Sequence, residues 1–329
     1  MRFVAFCIIL GGMAWSQDKL HLDPKQTVGP EKCGECHKSE LAAWKEMRHY
    51  KSFFDLTQSQ EAREIAQKMG LKRIKRESAC LQCHFTSQME GDVVKPIAGT
   101  SCESCHGAAQ NWVNIHNDYG GKDVKKEDEG PEHRKARIQK SLEAGMIRPE
   151  NLYAVAQNCY QCHTVPHETL VNVGGHNLGS NFELVAYSQG EVRHNFMRSN
   201  DGKSNVKPEQ AELRLLYVLG QSLELEYSLR GLAEATQKNK YAVTMAKRVK
   251  RAQGRLKAIQ EKVPHTLFEE MIKISGGVGL KLNNRDPLLK AADQVQALAM
   301  KLQGTLGDLS AVDPLLPAVS DYKGVALEQ

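Results

Sequence analysis

Cys159-Tyr-Gln-Cys162-His163 is the last of four short runs that share one pattern. The others are Cys33-Gly-Glu-Cys36-His37, Cys80-Leu-Gln-Cys83-His84 and Cys102-Glu-Ser-Cys105-His106. Two cysteines three residues apart have the spacing to form thioethers with the two vinyl groups of one porphyrin. The residue that follows then offers its imidazole to the iron. Zinc sites also use paired Cys-x-x-Cys, but nothing in zinc chemistry requires a histidine directly after every pair. A redox Cys-x-x-Cys is expected once, beside a βαβ unit, and not four times. Histidine is 12 of the 329 residues, so four such flanking histidines by chance have a probability on the order of one in a million. The pattern predicts four covalently bound c-type haems, held by Cys33, Cys36, Cys80, Cys83, Cys102, Cys105, Cys159 and Cys162. His37, His84, His106 and His163 are the predicted proximal iron ligands.

The rest of the cysteine arithmetic agrees. Of 9 Cys in the chain, only Cys7 falls outside the motifs. Cys7 lies in an uncharged apolar run, Phe3 to Trp15, that follows Arg2 and ends in Ala14-Trp15-Ser16 before Gln17, Asp18 and Lys19. Such a run is too short to span a bilayer and reads as a signal peptide over residues 1–16. The expectation is export, with the mature protein in a bacterial periplasm. The formal charge of +5 drops to +4 without Arg2, and eight haem propionates would reverse its sign. Net charge therefore says little about partners, and export argues against nucleic acid.

Aromatic residues are only 6% of the chain, and between residues 17 and 205 long apolar runs are absent. Porphyrins supply the missing apolar mass, so folding and haem loading are expected to be coupled. The fold class expected here is mainly α, dictated by haem and with little regular sheet. Lys122 to Lys140, dense in both charges, reads as a solvated loop or exposed helix. A polar, turn-rich stretch, Ser199 to Asn205, divides a tetrahaem region (17–205) from a second region (206–329).

The second region has no Cys and one His. Ala242, Met245, Val249, Ala252, Leu256, Ile259 and Val263 recur at alternating spacings of three and four, as do Leu288, Ala292, Val295, Ala299, Leu302 and Leu306. With a less regular helix over 208–236, these make three helices of an antiparallel bundle. The middle helix, 238–262, carries Lys238, Lys240, Lys247, Arg248, Lys250, Arg251, Arg255, Lys257 and Lys262 against only Glu261. A solvated face is the plain reading. The sharper one is a docking surface for an acidic periplasmic redox partner or an anionic membrane.

Eight histidines remain to supply distal ligands. His49, His116, His176 and His194 are the candidates. His49 ends a helix-compatible run, His116 follows the third motif by ten residues, His176 follows Gly174-Gly175, and His194 sits in Gly190-Glu-Val-Arg-His. His21 lies near the mature terminus and His133 in the charged stretch; His167 and His265 are weaker. Two imidazoles saturate an iron and suit it to electron transfer, whereas an open face permits binding or catalysis.

The run from Cys33 through Trp44 to His49 resembles the first haem segment of the tetrahaem cytochrome c-554 family. So does Gly99-Thr-Ser-Cys102-Glu-Ser-Cys105-His106-Gly107, followed by His116. The resemblance implies closely stacked haems, three of them bis-His, with the haem on the second motif five-coordinate. It gives His116 to the first haem and His49 to the third. The family's fourth haem takes its distal His from just before the fourth motif, where this chain has Tyr153 to Asn158 and no His. His176 or His194 must replace it, and if both ligate the second haem is six-coordinate after all. The family's Gly-Pro-Gly after the third motif is here Gly107-Ala-Ala. Electron transfer between redox partners is the leading functional expectation. The alternatives are an enzyme acting on nitric oxide or hydroxylamine at an open iron on Cys80–His84, and a sensor or assembly subunit that binds through the bundle.

Overall fold

The computed structural model describes residues 21–179, 181–190, 192 and 208–324. The signal-peptide stretch, the Ser199–Asn205 boundary and His194 lie outside the described residues. The chain is mainly helical, as expected. Short helices α1 (Pro30–Gly34), α2 (Lys38–Lys45), α3 (Arg48–Asp55) and α4 (Gln60–Lys68) lead to α5 (Ser78–His84). The hairpin of β1 (Thr86–Glu90) and β2 (Val93–Ala98) then runs to α6 (Cys102–His106). This antiparallel pair is the only sheet among the described residues. After α7 (Pro131–Glu143) come α8 (Leu152–His163), α9 (Glu168–Asn172) and α10 (Leu184–Ser188). The C-terminal helices are α11 (Gln210–Ala233), α12 (Lys240–Lys262), α13 (Thr266–Gly277) and α14 (Arg285–Ala299).

The bundle has four helices where periodicity predicted three. Pro264 stops α12, and the His265 ring accepts the Leu267 N–H at 3.2 Å to cap α13. The α13 stretch is short, and its apolar residues Leu267, Phe268 and Met271 give too few turns to register as a seam. Contacts fix the directions. Gly231 meets Met245, Glu224 meets Arg248 and Arg251, and Gln221 meets Arg255, so α12 runs antiparallel to α11. Arg230 pairs with Asp293, and further back along α11 Arg214 pairs with Asp313, so α14 is antiparallel to α11 as well.

Core distribution follows from composition. One large apolar cluster takes in Leu216, Leu219, Leu223, Met245, Val249, Leu256, Phe268, Leu288 and Val295 of the bundle. It also takes in Tyr153, Tyr160, Leu170, Phe182 and Leu184, from the other side of the expected boundary. Among the described residues before 150 there are two small clusters, one around Trp44, Met47 and Ala98 and one around Ile74, Leu81 and Phe85. No described helix is long and apolar enough to cross a membrane.

Two sequence expectations change. Lys122–Lys140 does contain an exposed helix, but Arg137 in it is buried: its guanidinium holds both Glu129 carboxylate oxygens at 2.6 and 2.7 Å and donates to the His116 carbonyl at 2.5 Å. The α12 cations are not all solvated either. Arg248 is buried against Glu224 of α11 at 2.6 and 2.7 Å, and Arg251 reaches the same carboxylate at 3.3 Å. Spacing along one helix reports its periodicity but not the partner across the interface, and so Glu224 was invisible as a counterion.

Candidate haem centres

Each Cys-x-x-Cys-His run sits on or at the end of a helical turn. The second, third and fourth runs close α5, α6 and α8, while in the first the His37 N–H bonds back to the Cys33 carbonyl at 2.9 Å. Helical spacing of three and four puts both thiols and the imidazole on one face. None of the eight motif cysteines is in a disulfide.

The motifs are neighbours in space in an order that differs from their order in the chain. Cys33 and Cys102 lie within hydrogen-bonding reach, which lowers the Cys33 thiol and raises Cys102. Cys83 and Cys162 share the same relationship, lowering Cys83 and raising Cys162 well above its usual range. Asn158 links the two pairs by joining the fourth motif to the third, donating from Nδ2 to the Cys105 carbonyl at 3.0 Å. Burial pushes Cys80 and Cys105 each up to about 11. The spatial sequence is therefore first, third, fourth, second.

Local structure explains the residues around the motifs. The Glu103 carboxylate accepts the N–H groups of Val28 at 3.0 Å, Gly29 at 2.8 Å and Ala109 at 2.8 Å. It thereby ties the strand before the first motif to the third, and burial raises its pKa despite these donors. The Trp44 indole donates to the Thr100 carbonyl at 2.8 Å, and the Thr100 hydroxyl to the Cys83 carbonyl at 3.0 Å. Ser52 bridges the carbonyls of His49 and His84 at 2.8 and 3.2 Å.

Three pairs of imidazoles face one another across gaps. Ring centres are 6.3 Å apart for His37 and His116, 6.4 Å for His49 and His163, and 6.2 Å for His84 and His176. A metal–imidazole bond of about 2.0 Å, with about 1.1 Å from that nitrogen to the ring centre, puts two trans imidazoles about 6.3 Å apart. All three gaps fit an iron. Nδ1 of His106 lies 3.1 Å from the Ile147 carbonyl, that of His116 2.7 Å from Val113, and that of His176 2.6 Å from Asn177. With the proton on Nδ1, each leaves Nε2 for a metal. Burial, with His49 and a further imidazole nearby, pushes His84 and His163 down to about 4, the neutral form that ligation needs. Among the described residues no three His, Cys, Asp or Glu side chains converge as a bare-metal site would require.

The pairings depart from those the resemblance implied. His116 does stand opposite the first motif. His49 stands opposite His163 of the fourth, and not His106 of the third. His176 stands opposite His84 of the second motif, where the resemblance implied an open face, and not opposite the fourth. The α3 helix carries His49 past the third motif, and the Gly-rich loop after α9 turns His176 back towards α5. Sequence distance cannot encode either path. The other described histidines are engaged elsewhere. His21 Nε2 bonds the Ser104 carbonyl at 2.8 Å and His133 pairs with Glu129 at 2.7 Å. His167 and His265 cap α9 and α13. Phe182 was missed as a site residue: it stacks on His163 with ring centres 4.4 Å apart and planes 15° apart.

Comparison with known proteins finds a likeness over part of the chain. The chain is 32% identical over 100 residues to cytochrome c-554 of Nitrosomonas europaea, which covers 28% of this chain and 43% of that protein. The chain thus matches less than half the length of this relative. No solved structure matches. The family model described as "Cytochrome c554 and c-prime" matches residues 32–107, the segment that holds the first three motifs. Over that segment the chain is similar to the cytochrome c554 family, which is a family of c-type cytochromes.

Proposed function

We propose that the chain is a periplasmic tetrahaem electron carrier that passes electrons between two redox proteins. The supporting observation is the set of three imidazole pairs at iron-spanning distance, beside four motifs that adjoin as first, third, fourth and second. Haem supplies reversible one-electron chemistry when bound. The protein's own groups do the rest. The motif thiols hold each porphyrin and the proximal histidines supply one axial ligand. His116, His49 and His176 supply a second and keep small molecules off those irons. Haems held by motifs that adjoin in this order would be neighbours, which is what stepwise electron transfer along the chain of centres would need.

The donor and acceptor would meet the protein at charged surfaces. Lys240, Lys247, Lys250, Lys257 and Lys262 of α12 are exposed and offer an acidic partner a cationic face. Arg248, buried and paired, is no part of that face.

The test is haem content with a reductive titration of the mature protein. About four haems per chain, which equilibrate internally after reduction of one of them, are expected. A lower haem content, or haems that stay isolated after partial reduction, would sink the reading.

A further inference from the structure

We propose that the segment from Ile65 to Arg76 is a docking face for an acidic one-electron redox protein, and that the second haem site lies directly behind it. This deepens the electron-carrier reading and rests on it.

The segment joins the end of α4 to the turn before α5 and carries Lys68, Lys72, Arg73, Lys75 and Arg76 with no acid among them. Lys68, Lys72, Arg73 and Arg76 are exposed, and Lys75 is half-buried. The segment packs on both sides of the second site. On the proximal side Ile74 shares an apolar cluster with Leu81 and Phe85, and Cys80 packs against it. The Glu77 carbonyl accepts the N–H groups of Cys80 and Leu81, each at 2.9 Å, so the chain passes from the cations straight into the helix that ends at His84. On the distal side α4 meets the loop that carries His176. A Cβ at Gly174 would lie 3.1 Å from Ile65 Cγ2 and 3.2 Å from Met69 Cγ, and one at Gly175 would lie 3.8 Å from Lys68 Nζ. The facing rings of His84 and His176 are thus backed by one continuous basic stretch.

The face has the make-up of a transient interface. The Lys75 ammonium stands 3.6 Å from the centre of the Phe53 ring and 5.8 Å from that of Phe85, which fixes one charge in place. Phe54, 47% exposed, lies against Phe53 with ring centres 5.2 Å apart and puts an apolar spot beside the cations. Position completes the case. Electron tunnelling falls steeply with distance, so a docking face serves only a haem close behind it. The second motif stands at one end of the spatial order, where a row of centres must exchange electrons with the outside. An acidic protein is steered to these cations. It gives up one electron, the second iron passes from ferric to ferrous, and no bond is made or broken.

The experiment follows, by stopped flow, reduction of the fully haem-loaded chain by two donors. One is flavodoxin hydroquinone, a strongly acidic protein, and the other is hexaammineruthenium(II), a small cation. In the wild type the flavodoxin rate constant is expected to fall as salt rises. Lys72→Glu, Arg73→Glu and Arg76→Glu together lower it about tenfold at low salt. They also quicken reduction by the ruthenium cation, which a folding defect would not do. Lys247→Glu, Lys250→Glu and Lys257→Glu on α12 lower the flavodoxin rate less. Carbodiimide cross-linking of the wild type joins flavodoxin to Lys68 or Lys72. A flavodoxin rate indifferent to salt overturns the proposal, as does one unchanged in the first variant or lowered as much in the second. Slowing with both donors, or cross-links confined to α12, overturns it too. Phosphatidylglycerol vesicles that bind the wild type but not the first variant, with an unchanged flavodoxin rate, would give the face to a membrane instead. A haem content below four in the wild type, measured in parallel, would strike the tetrahaem reading itself.

Discussion

Arg248 donates its Nη1–H to the carbonyl of Leu178 at 2.8 Å, two residues beyond His176. The remaining nitrogens of that guanidinium hold Glu224 of α11 in a bidentate pair at 2.6 and 2.7 Å. All three groups lie inside the protein, so the bundle reaches out of its own core to hold the loop that faces the second motif. A buried arginine with a matched carboxylate is a rigid fork, and a backbone carbonyl set on its third edge has little freedom left.

Glu224→Gln should test how much that fork is worth. The substitution leaves a buried guanidinium without its counterion, which costs about 3–5 kcal/mol. Urea unfolding of the haem-loaded protein would show the loss as an earlier midpoint. The same variant should broaden the low-spin resonance of the second haem, because His176 loses its anchor. A shifted midpoint with an unchanged resonance would separate stability from positioning.

Arg137 plays a comparable part for the first motif, through Glu129 and the His116 carbonyl. Arg137, chiefly by hydrogen bonding, holds the Glu129 carboxyl down at about 2, below the ordinary value of about 4.3 expected once unfolded. The sign follows from linkage. A depressed folded pKa gives stability that is complete above the ordinary glutamate range and is lost as pH falls from about 4 towards 2. Acid titrations of wild type and Glu129→Gln should therefore differ at neutral pH and converge near pH 2. Curves that stay parallel throughout would remove Glu129 from the account.

Glu103 offers a different test, because it is buried and neutralised only by backbone donors. Glu103→Gln keeps one acceptor oxygen and replaces the other with a donor, which faces N–H groups of Val28, Gly29 or Ala109. Leaving a buried N–H unsatisfied costs about 1–3 kcal/mol. Thermal unfolding of the loaded protein measures it, and an unchanged transition would show that the segment before the first motif is held by other contacts.

Gly179→Ala brings a Cβ to 2.1 Å from the His163 carbonyl oxygen at a left-handed backbone position. The clash is with backbone and cannot be relieved by a rotamer change, so the cost should exceed about 1 kcal/mol. The loop between the second and fourth motifs must move, and the axial signals of both haems should change together. A change confined to one haem would mean that the loop moves as two parts.

The four Cys-x-x-Cys-His runs were legible in the sequence as haem-attachment candidates because their chemistry is local: thiol, thiol and imidazole must lie within one helical turn. The bundle seams at Ala242–Val263 and Leu288–Leu306 were legible for the same reason. The distal partners were not, since His49 and His176 reach their positions through the path of α3 and of a loop. Local spacing could nominate them but not assign them. Arg137 and Arg248 hid for a related reason. Each sits in a stretch rich in exposed charge, and only the opposing carboxylate, far away in sequence for Arg248, distinguishes a buried clamp from a solvated cation. Phe182 carried no signal at all, because an aromatic residue in a loop gives no hint of the imidazole beneath it.

Tyr160, between the cysteines of the fourth motif, is fully buried and donates its hydroxyl to the Gly220 carbonyl at 2.7 Å. On the same helix, Tyr153 donates to Glu226 at 2.6 Å. A Cβ at residue 220 would come within 2.9 Å of Leu184 and 3.3 Å of the Tyr160 hydroxyl, so α11 fits over the motif only because that position is bare. The fourth motif is thus not a cassette that can be cut away, grafted or inherited apart from the helices that follow it. Shortening the chain after the last cysteine would expose two tyrosines and an apolar helix face, and a lineage that lost the bundle would have to rebuild its last haem site.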